Sequence, residues 1–275
     1  MNFGDEDVPT KLLGSAEGAD IFFGADPSKW IPVCHTLKAR FYLHTRDYVN
    51  AVTHANLGVG DPADNMMAPH GTSYLQNFNL YYSFTVYDRP GYMLANGYAA
   101  PLIDADMAGS RNNAKTNEGS RLNYYFLPNG DGTYDVNYAV DFDFGIPSEY
   151  NGFFGASTSF PMVTFEENAL ILAESLAKTS DDDGAIAALN TLREYLNEGG
   201  PWPVGYQDDP NGLQGLDYLP GFYDPYDAAD FASGGIENAD GISANDALIR
   251  EILEERYVSL FGQLEVYNDI RRTDN

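Results

Sequence analysis

The amino-acid sequence predicts a mainly α fold, in which helix hairpins carry long, irregular, aromatic-rich loop insertions and a small β-hairpin. Three observations support this fold class. Apolar residues recur every three or four positions in two separate stretches, at 27–58 and 164–197, and this is the period of an amphipathic helix. The residues between these stretches lack a sustained helical period. They are rich in Gly, Pro, Asn and aromatic side chains, a composition typical of loops.

The stretch 27–58 has the start and stop signals of two helices. Asp26 followed by Pro27 forms a helix start, because an acidic N-cap accepts backbone hydrogen bonds and proline fits the first turn. Asp47 opens a second helix, which Gly58 ends. Small alanines on the second helix allow a close antiparallel approach, so the sequence predicts a helix hairpin. Its first helix has the apolar face Trp30, Val33, Leu37 and Phe41.

The stretch 164–197 repeats this pattern. A helix is predicted from Phe165 to Lys178 and another from Ala185 to Leu196, with an Asp-rich turn between them. Two hairpins of roughly tetratricopeptide length predict tetratricopeptide-like repeats.

Further helices are predicted at 243–272, near the C-terminus. Ser243 and Asp246 resemble a capping box, and an apolar stripe follows them. We expect the first of these helices to dock against the two hairpins.

Two insertions, 61–160 and 199–242, separate the helical stretches. Within the first, Asn129-Gly130-Asp131-Gly132 followed by loose alternation from Tyr134 to Phe144 predicts a β-hairpin. Loops of this length inside a compact domain are uncommon and often functional.

Composition limits the classes of partner and of site. The formal net charge of −26 repels phosphate backbones and anionic lipid surfaces, which excludes nucleic acid as an expected partner. The single cysteine, Cys34, excludes an intrachain disulfide and a cysteine-based zinc site. The sequence contains no signal peptide and no transmembrane run. Because it begins and ends in loop-like or unfinished segments, we expect a fragment of a larger exported protein, with a cytoplasmic protein as the alternative.

No catalytic motif is present. The four histidines form no HExxH pair, and GxSxG, GxGxxG and P-loop motifs are absent. We therefore predict no enzyme activity, no cofactor and no metal. Asp-rich turns could offer oxygens to Ca²⁺, but the turn preferences of Asp, Asn and Gly favour solvated turn residues at each of them. These turns are Asn129-Gly130-Asp131-Gly132, Asp141-x-Asp143 and Asp181-Asp182-Asp183-Gly184.

Aromatic residues in the insertions are the candidate ligand contacts. A flat aromatic ring stacks on the apolar face of a sugar, and polar side chains bind its hydroxyl rim. The alternative is that these rings pin the long loops onto the helical scaffold. The predicted binding residues are Tyr81, Tyr82, Tyr87, Arg89, Tyr92, Asn96, Trp202 and Tyr206.

The C-terminal helices carry a recognisable set of residues. They are Glu255-Arg256, Leu260 and Asp269-Ile270-Arg271-Arg272. Their spacing resembles the signature of the SusD/RagB family, surface nutrient-binding lipoproteins of Bacteroidetes, in which E-R-x-x-E-L precedes D-L-R-R. Ser259 and Leu264 depart from that pattern and suggest a divergent subgroup.

Four more stretches resemble motifs of this family in the correct order. They are the helix Trp30 to Tyr42, the stretch Arg121 to Phe126, the helix Phe160 to Ser175, and Leu189-Asn190-x-x-Arg193. The resemblance implies a single, partial SusD-like domain over 1–275. The family's N-terminal third, with its lipidated cysteine, would then be missing.

The resemblance also implies a function in polysaccharide or peptide utilisation. Such a protein binds a glycan or other oligomeric nutrient on the extracellular face of the outer membrane. It then delivers the nutrient to a TonB-dependent SusC-like transporter. A helical-repeat adaptor for other proteins, and a hydrolase, remain as alternatives. Arg271-Arg272 could bind an anion or pair with acids of neighbouring helices.

Overall fold

The computed structural model describes residues 19–71, 77–138, 151–203 and 221–273. Its helices are α1 (Pro27–His44), α2 (Tyr48–Ala55), α3 (Leu80–Tyr82), α4 (Ala99–Ile103), α5 (Gly119–Tyr125), α6 (Phe165–Lys178), α7 (Asp182–Asn197), α8 (Ala228–Phe231), α9 (Ala244–Ser259) and α10 (Leu264–Thr273). A 3-10 turn covers Pro62–Asp64, and a π-helix, Ser83–Asp88, directly follows α3. The strands are β1 (Met66–Ala68), β2 (Thr116–Asn117), β3 (Phe126–Pro128), β4 (Tyr134–Val136), β5 (Phe160–Val163) and β6 (Phe222–Tyr223).

The chain divides into two compact units. Unit 1 consists of Met1–Pro69, Pro161–Leu192 and Asp227–Asn275, and unit 2 of His70–Phe160 and Arg193–Tyr226. The mainly α fold class is confirmed, with helices at both predicted hairpins and at 243–272. The assignment of the whole chain to one SusD-like domain stays a prediction.

The helices of unit 1 begin at the polar residues that the sequence indicates. Asp26 accepts a hydrogen bond from the Ser28 amide, with Pro27 in the first turn of α1. Ser243 accepts from the Asp246 amide at the start of α9, at 3.1 Å. These caps satisfy amides that a helix leaves unpaired in its first turn, and so they fix where each helix starts.

Unit 1 is built around the packing of α6 against α1 and α2. Its small core cluster comprises Ala39, Leu43, Ala51, Ala55 and Ile171. α9 packs on α6, and α10 packs on α9. The small alanines of α2 allow the close packing that the sequence predicts.

A buried polar joint fixes the end of the first hairpin against α6. The Thr36 hydroxyl donates to Asn168 Oδ1 at 2.9 Å and accepts from the Val59 amide at the same distance. Asn168 Nδ2 donates to the Ala55 carbonyl. A Cβ at Gly58 would lie 2.1 Å from Asn168 Oδ1, so only glycine fits there.

An ion network joins α6, α9 and α10. The fully buried Arg256 donates to Asp269 at 2.9 and 3.2 Å, and Arg272 donates to Glu174 at 2.5 and 2.6 Å. Arg272 also donates to Asp269 at 2.7 Å. Arg272 therefore pairs with acids of neighbouring helices and has a structural role. Arg271 instead lies over the ring of Tyr267.

A second set of charges extends this network to α1. Arg40 donates two hydrogen bonds to the buried Glu167, at 2.5 and 2.6 Å, and lies 3.4 Å from Glu265 of α10. His44 lies 3.3 Å from the other oxygen of Glu265. The signature acids and bases thus hold four helices of unit 1 together.

Unit 2 contains the predicted β-hairpin. β3 pairs antiparallel with β4, with Phe126 opposite Val136 and Pro128 opposite Tyr134. β4 ends at Val136, and residues 139–144 of the predicted second strand lie outside the described residues. The sequence analysis missed two short pairs, β2 with β6 in unit 2 and β1 with β5.

A cluster of buried arginines and aromatic rings forms part of the interior of unit 2. Glu118 is fully buried and accepts hydrogen bonds from Arg111 at 2.5 Å and from the Tyr223 hydroxyl at 2.7 Å. Arg121 lies 3.4 Å from the same carboxylate and over the Tyr223 ring. Arg193 donates to the Asp224 and Lys115 carbonyls and lies 3.8 Å from the centre of the Tyr226 ring.

Two histidines meet where α1 and α2 pack. Nδ1 of His35 and Nδ1 of His54 are 2.9 Å apart, and the His54 ring stacks on Tyr42. Burial, with smaller contributions from His35 and Lys38, lowers the pKa of His54 below its ordinary value of 6.5. The folded chain therefore disfavours the charged form of this side chain.

This pKa shift predicts a loss of stability in mild acid. As the pH falls below about 6.5, the unfolded state binds a proton at His54 before the folded state does, so the free energy of unfolding decreases. Urea unfolding at about pH 7.5 and about pH 5.5 measures the decrease, which we expect to be smaller in His54→Gln. An equal decrease in the variant and the wild type would contradict the assignment.

None of the helices in the described part of the chain is both long and apolar enough to cross a membrane.

Candidate ligand-binding surface

The segment 80–98 of unit 2 is held in place by buried residues on its N-terminal side. Asn79 is buried, and its amide donates to the Ala156 carbonyl at 2.8 Å. Its side chain donates to the Thr158 carbonyl and accepts from the Tyr81 amide, which starts α3. Phe78 and Tyr82 pack with Ala156 in a small core cluster. The side chain of Asn79 therefore has a structural role here.

Beyond this anchor, the 80–98 segment exposes large apolar and aromatic side chains. Tyr92 is 75% exposed, and Tyr98 and Leu80 are 64% and 79% exposed. Folded proteins expose single apolar residues commonly, but a concentration of them in one segment makes that segment a candidate binding surface. The exposed set is Leu80, Phe84, Tyr87, Tyr92, Leu94 and Tyr98.

Four of the predicted binding residues lie exposed in this segment. Tyr87 is exposed on one side and stacks on Phe78 on the other, with ring centres 6.1 Å apart. Tyr92 follows Arg89 at a turn in which its amide donates to the Arg89 carbonyl. Asn96 is exposed, but its Oδ1 accepts from the Tyr134 amide at 3.1 Å. Two rings and two polar groups are thus available at the surface.

The remaining predicted residues differ from these. Tyr81 is half-buried against Phe154 and Phe160, and burial raises the pKa of its hydroxyl. Tyr82 is 1% exposed and Trp202 is 4% exposed. Their rings belong to the interior, which favours the interpretation that such residues pin loops.

Trp202 and Tyr206 are the predicted binding residues of the insertion 199–242, where they would form a second patch. The Trp202 ring lies 6.3 Å from Tyr223, with the Arg121 guanidinium 5.7 Å from its centre. Tyr206 lies outside the described residues. The structure therefore brings no described aromatic of this second patch to the surface beside the 80–98 segment.

The Asp-rich turns make hydrogen bonds typical of turns. Asp131 accepts from the Thr133 amide and hydroxyl, and Asp181 accepts from the Gly184 amide. Asp141 and Asp143 lie outside the described residues. Within the described ranges, no group of three or more His, Cys, Asp or Glu side chains is placed to hold a metal ion.

The sequence analysis missed part of the surface. Leu80, Phe84 and Leu94 are exposed, although apolar side chains in loops are more often expected to pin them. Tyr98, another aromatic residue of the first insertion, is exposed as well. Phe84 and Tyr87 lie in a π-helix, a structure that is frequent at functional sites. No sequence pattern predicts a π-helix, so this feature is visible only in the structure.

Comparisons with known proteins identify the fold. No family model and no curated protein matches the sequence. A solved SusD-like protein from Bacteroides thetaiotaomicron superposes with a TM-score of 0.54 over 96% of this chain, at 17% identity. The chain has the SusD-like fold. A SusD homologue from the same organism gives a TM-score of 0.51 over 96% of the chain, at 14% identity.

The SusD-like fold confirms the mainly α, tetratricopeptide-like fold class that the sequence predicts. The chain covers 58% of the first of these solved structures and 56% of the second, so it spans less than two thirds of either. What a whole SusD-like protein binds, and with which partner, is therefore a matter for proposal.

Proposed function

We propose that this chain is part of a SusD/RagB-type protein that binds an oligomeric nutrient, in the first place a glycan, without catalysing its breakdown. The SusD-like fold supports the class. The exposed aromatic side chains of the 80–98 segment are the observation that carries the proposal.

The segment has the properties of a prepared binding surface. Buried Asn79, Phe78 and Tyr82 fix one end of it, so little freedom is lost there when a ligand binds. Tyr87 and Tyr92 offer rings that can stack on the apolar face of a sugar, and Arg89 and Asn96 offer groups for its hydroxyls. The peptide alternative uses the same rings as hydrophobic contacts.

The proposal includes a location and a partner. We place the protein on the extracellular face of the outer membrane, where it passes its ligand to a TonB-dependent SusC-like transporter. The formal net charge of −26 disfavours direct electrostatic attachment to anionic lipid. Affinity purification of the transporter with this protein tests the partnership.

A helical-repeat adaptor is the second candidate function. Its support is the exposed apolar side chains of α10, Leu264, Tyr267 and Ile270, which recur every three residues on that helix. An adaptor would bind another protein through this helix, and its affinity for glycans would be negligible.

Replacing Tyr92 by Ala separates these two functions. We expect Tyr92→Ala to weaken glycan binding by about 1–2 kcal/mol, because the variant loses a stacking face without losing core packing. Calorimetric titration of a glycan panel measures the affinity, and circular dichroism checks the fold. The matched control is Tyr267→Ala, which removes an exposed ring from α10 and should leave glycan affinity unchanged. Equal losses in both variants, or none in either, would argue against the 80–98 segment.

A further inference from the structure

A pocket of about 410 Å³ lies in unit 1. It is formed by the turn between α1 and α2, the C-terminal end of α6, and parts of α9 and α10. Its lining residues are Arg46, Tyr48, Glu174, Lys178, Leu253, Arg272 and Thr273. The proposed glycan surface belongs to unit 2, so this pocket is built entirely from other residues.

The lining of the pocket is basic, although the chain is strongly acidic. Three of its 15 basic residues meet here, in a protein with 41 acidic ones. Chance placement on such a chain would instead give an acidic lining. The one carboxylate in the lining, Glu174, is fully buried.

The charge of Glu174 is already compensated within the protein. Both of its oxygens accept hydrogen bonds from Arg272, at 2.5 and 2.6 Å, and Nε of Arg256 lies 3.7 Å from one of them. A bidentate pair of this kind holds the arginine and the carboxylate in a fixed geometry. Glu174 therefore does little to neutralise the two other basic side chains of the pocket.

Those two side chains present their charge in different ways. Lys178 is exposed in the last turn of α6 and makes no hydrogen bond or ion pair within the described ranges. Arg46 is held against α10, because its guanidinium donates to the Arg272 carbonyl at 3.0 Å. Its backbone adopts φ 61°, a left-handed conformation that is uncommon for arginine. The turn thus places a cation at the pocket at some conformational cost.

We propose that this pocket binds a small organic anion through a carboxylate or phosphate group. Lys178 and Arg46 supply the attraction for the anionic group, while Leu253 and the Tyr48 ring contact the carbon skeleton. Burial, and to a smaller extent Glu174, raises the pKa of Tyr48, so its hydroxyl stays protonated and can donate a hydrogen bond. Such a site would let the protein bind charged as well as neutral nutrients.

The test compares three related sugars on the whole chain. Glucuronate carries a carboxylate, a phosphorylated glucose carries a phosphate, and neutral glucose is the uncharged control. We expect at least one of the anions to bind, with an affinity that falls as the salt concentration rises, and glucose not to bind at this pocket. Lys178→Gln should weaken anion binding about threefold to fivefold, which is the range for one exposed charge.

Lys38→Gln is the matched control, because it removes the same charge from unit 1 at a residue that does not line the pocket. It should leave anion affinity within about twofold of the wild type. The proposal is overturned if the two lysine variants weaken binding equally, or if neither anion binds more tightly than glucose. Tyr92→Ala should not alter anion binding, so failure of this proposal and failure of the glycan surface are distinguishable.

Discussion

Replacing Arg256 by Met is expected to destabilise unit 1 by about 3–5 kcal/mol, because it removes one partner from a buried ion network and leaves its carboxylates less compensated. Arg256 is fully buried and donates twice to Asp269, and it also lies 3.7 Å from Glu174. The methionine fills much of the same volume, so the loss reports mainly on charge and hydrogen bonding. Urea unfolding followed by circular dichroism measures it.

The same helix offers a matched control. Arg250 also pairs with a carboxylate, Asp240, but both side chains are partly exposed, at 39% and 53%. Arg250→Met should therefore cost no more than about 1 kcal/mol, since solvent screens such pairs. Similar losses from the two variants would show that the C-terminal network contributes no more than a surface ion pair.

Replacing Glu118 by Ala is expected to destabilise unit 2 by about 3–5 kcal/mol, by the corresponding argument with the charges reversed. Glu118 is the carboxylate that Arg111, Arg121 and the Tyr223 hydroxyl approach, and it is fully buried. Its removal leaves two interior guanidinium groups with less compensating charge. Thermal and urea unfolding of the variant measure the effect.

One further variant at Glu118 separates charge from packing, and a variant on β4 serves as its control. Glu118→Gln keeps the shape and one acceptor oxygen, so we expect a loss nearly as large as in Glu118→Ala if charge dominates. Asp135→Asn removes a charge from an exposed position of β4 and should change stability by less than about 0.5 kcal/mol. A near-wild-type stability of Glu118→Gln would show that hydrogen bonding, and not charge, holds the arginines.

Local sequence signals predict the helices of the two hairpins and of the C-terminal stretch well, but they miss the short helices α3, α4, α5 and α8 in the insertions. The caps at Asp26 and Ser243 act over a few residues, and the apolar period of α6 is visible within its own sequence. Such interactions do not depend on distant parts of the chain, so periodicity and capping suffice to predict them. The C-terminal acids and bases were recognised as a family pattern, and their roles in the network became clear only with α6 and α10 in place.

Whether an individual aromatic side chain is buried or exposed depends on contacts with residues that are distant in the sequence. Tyr82 and Tyr87 are separated by one turn of the π-helix, yet Tyr82 is buried because Ala156 comes from another part of the chain to cover it. Tyr92 has no such cover. Trp202 is buried among Arg121 and Tyr223, far from it in sequence. Composition identifies such residues as a group, but cannot divide them into anchors and exposed rings.

The short strand pairs also depend on contacts between distant parts of the chain. β2 pairs with β6 across more than a hundred residues, with Thr116 opposite Tyr223. Strands of two or three residues have no measurable alternation, so nothing in the local sequence distinguishes them from loop. The hairpin of β3 and β4 was predicted because its turn residues lie between the two strands.

The ion network of unit 1 also sets an order of events during synthesis. Its members belong to α1, α6, α9 and α10, and three of them, Glu265, Asp269 and Arg272, stand in α10 near the end of the printed sequence. A ribosome releases these residues after the rest of unit 1, and contacts between such distant residues form slowly. The arginines that become buried in unit 1 therefore stay hydrated until the carboxylates of α10 have been synthesised.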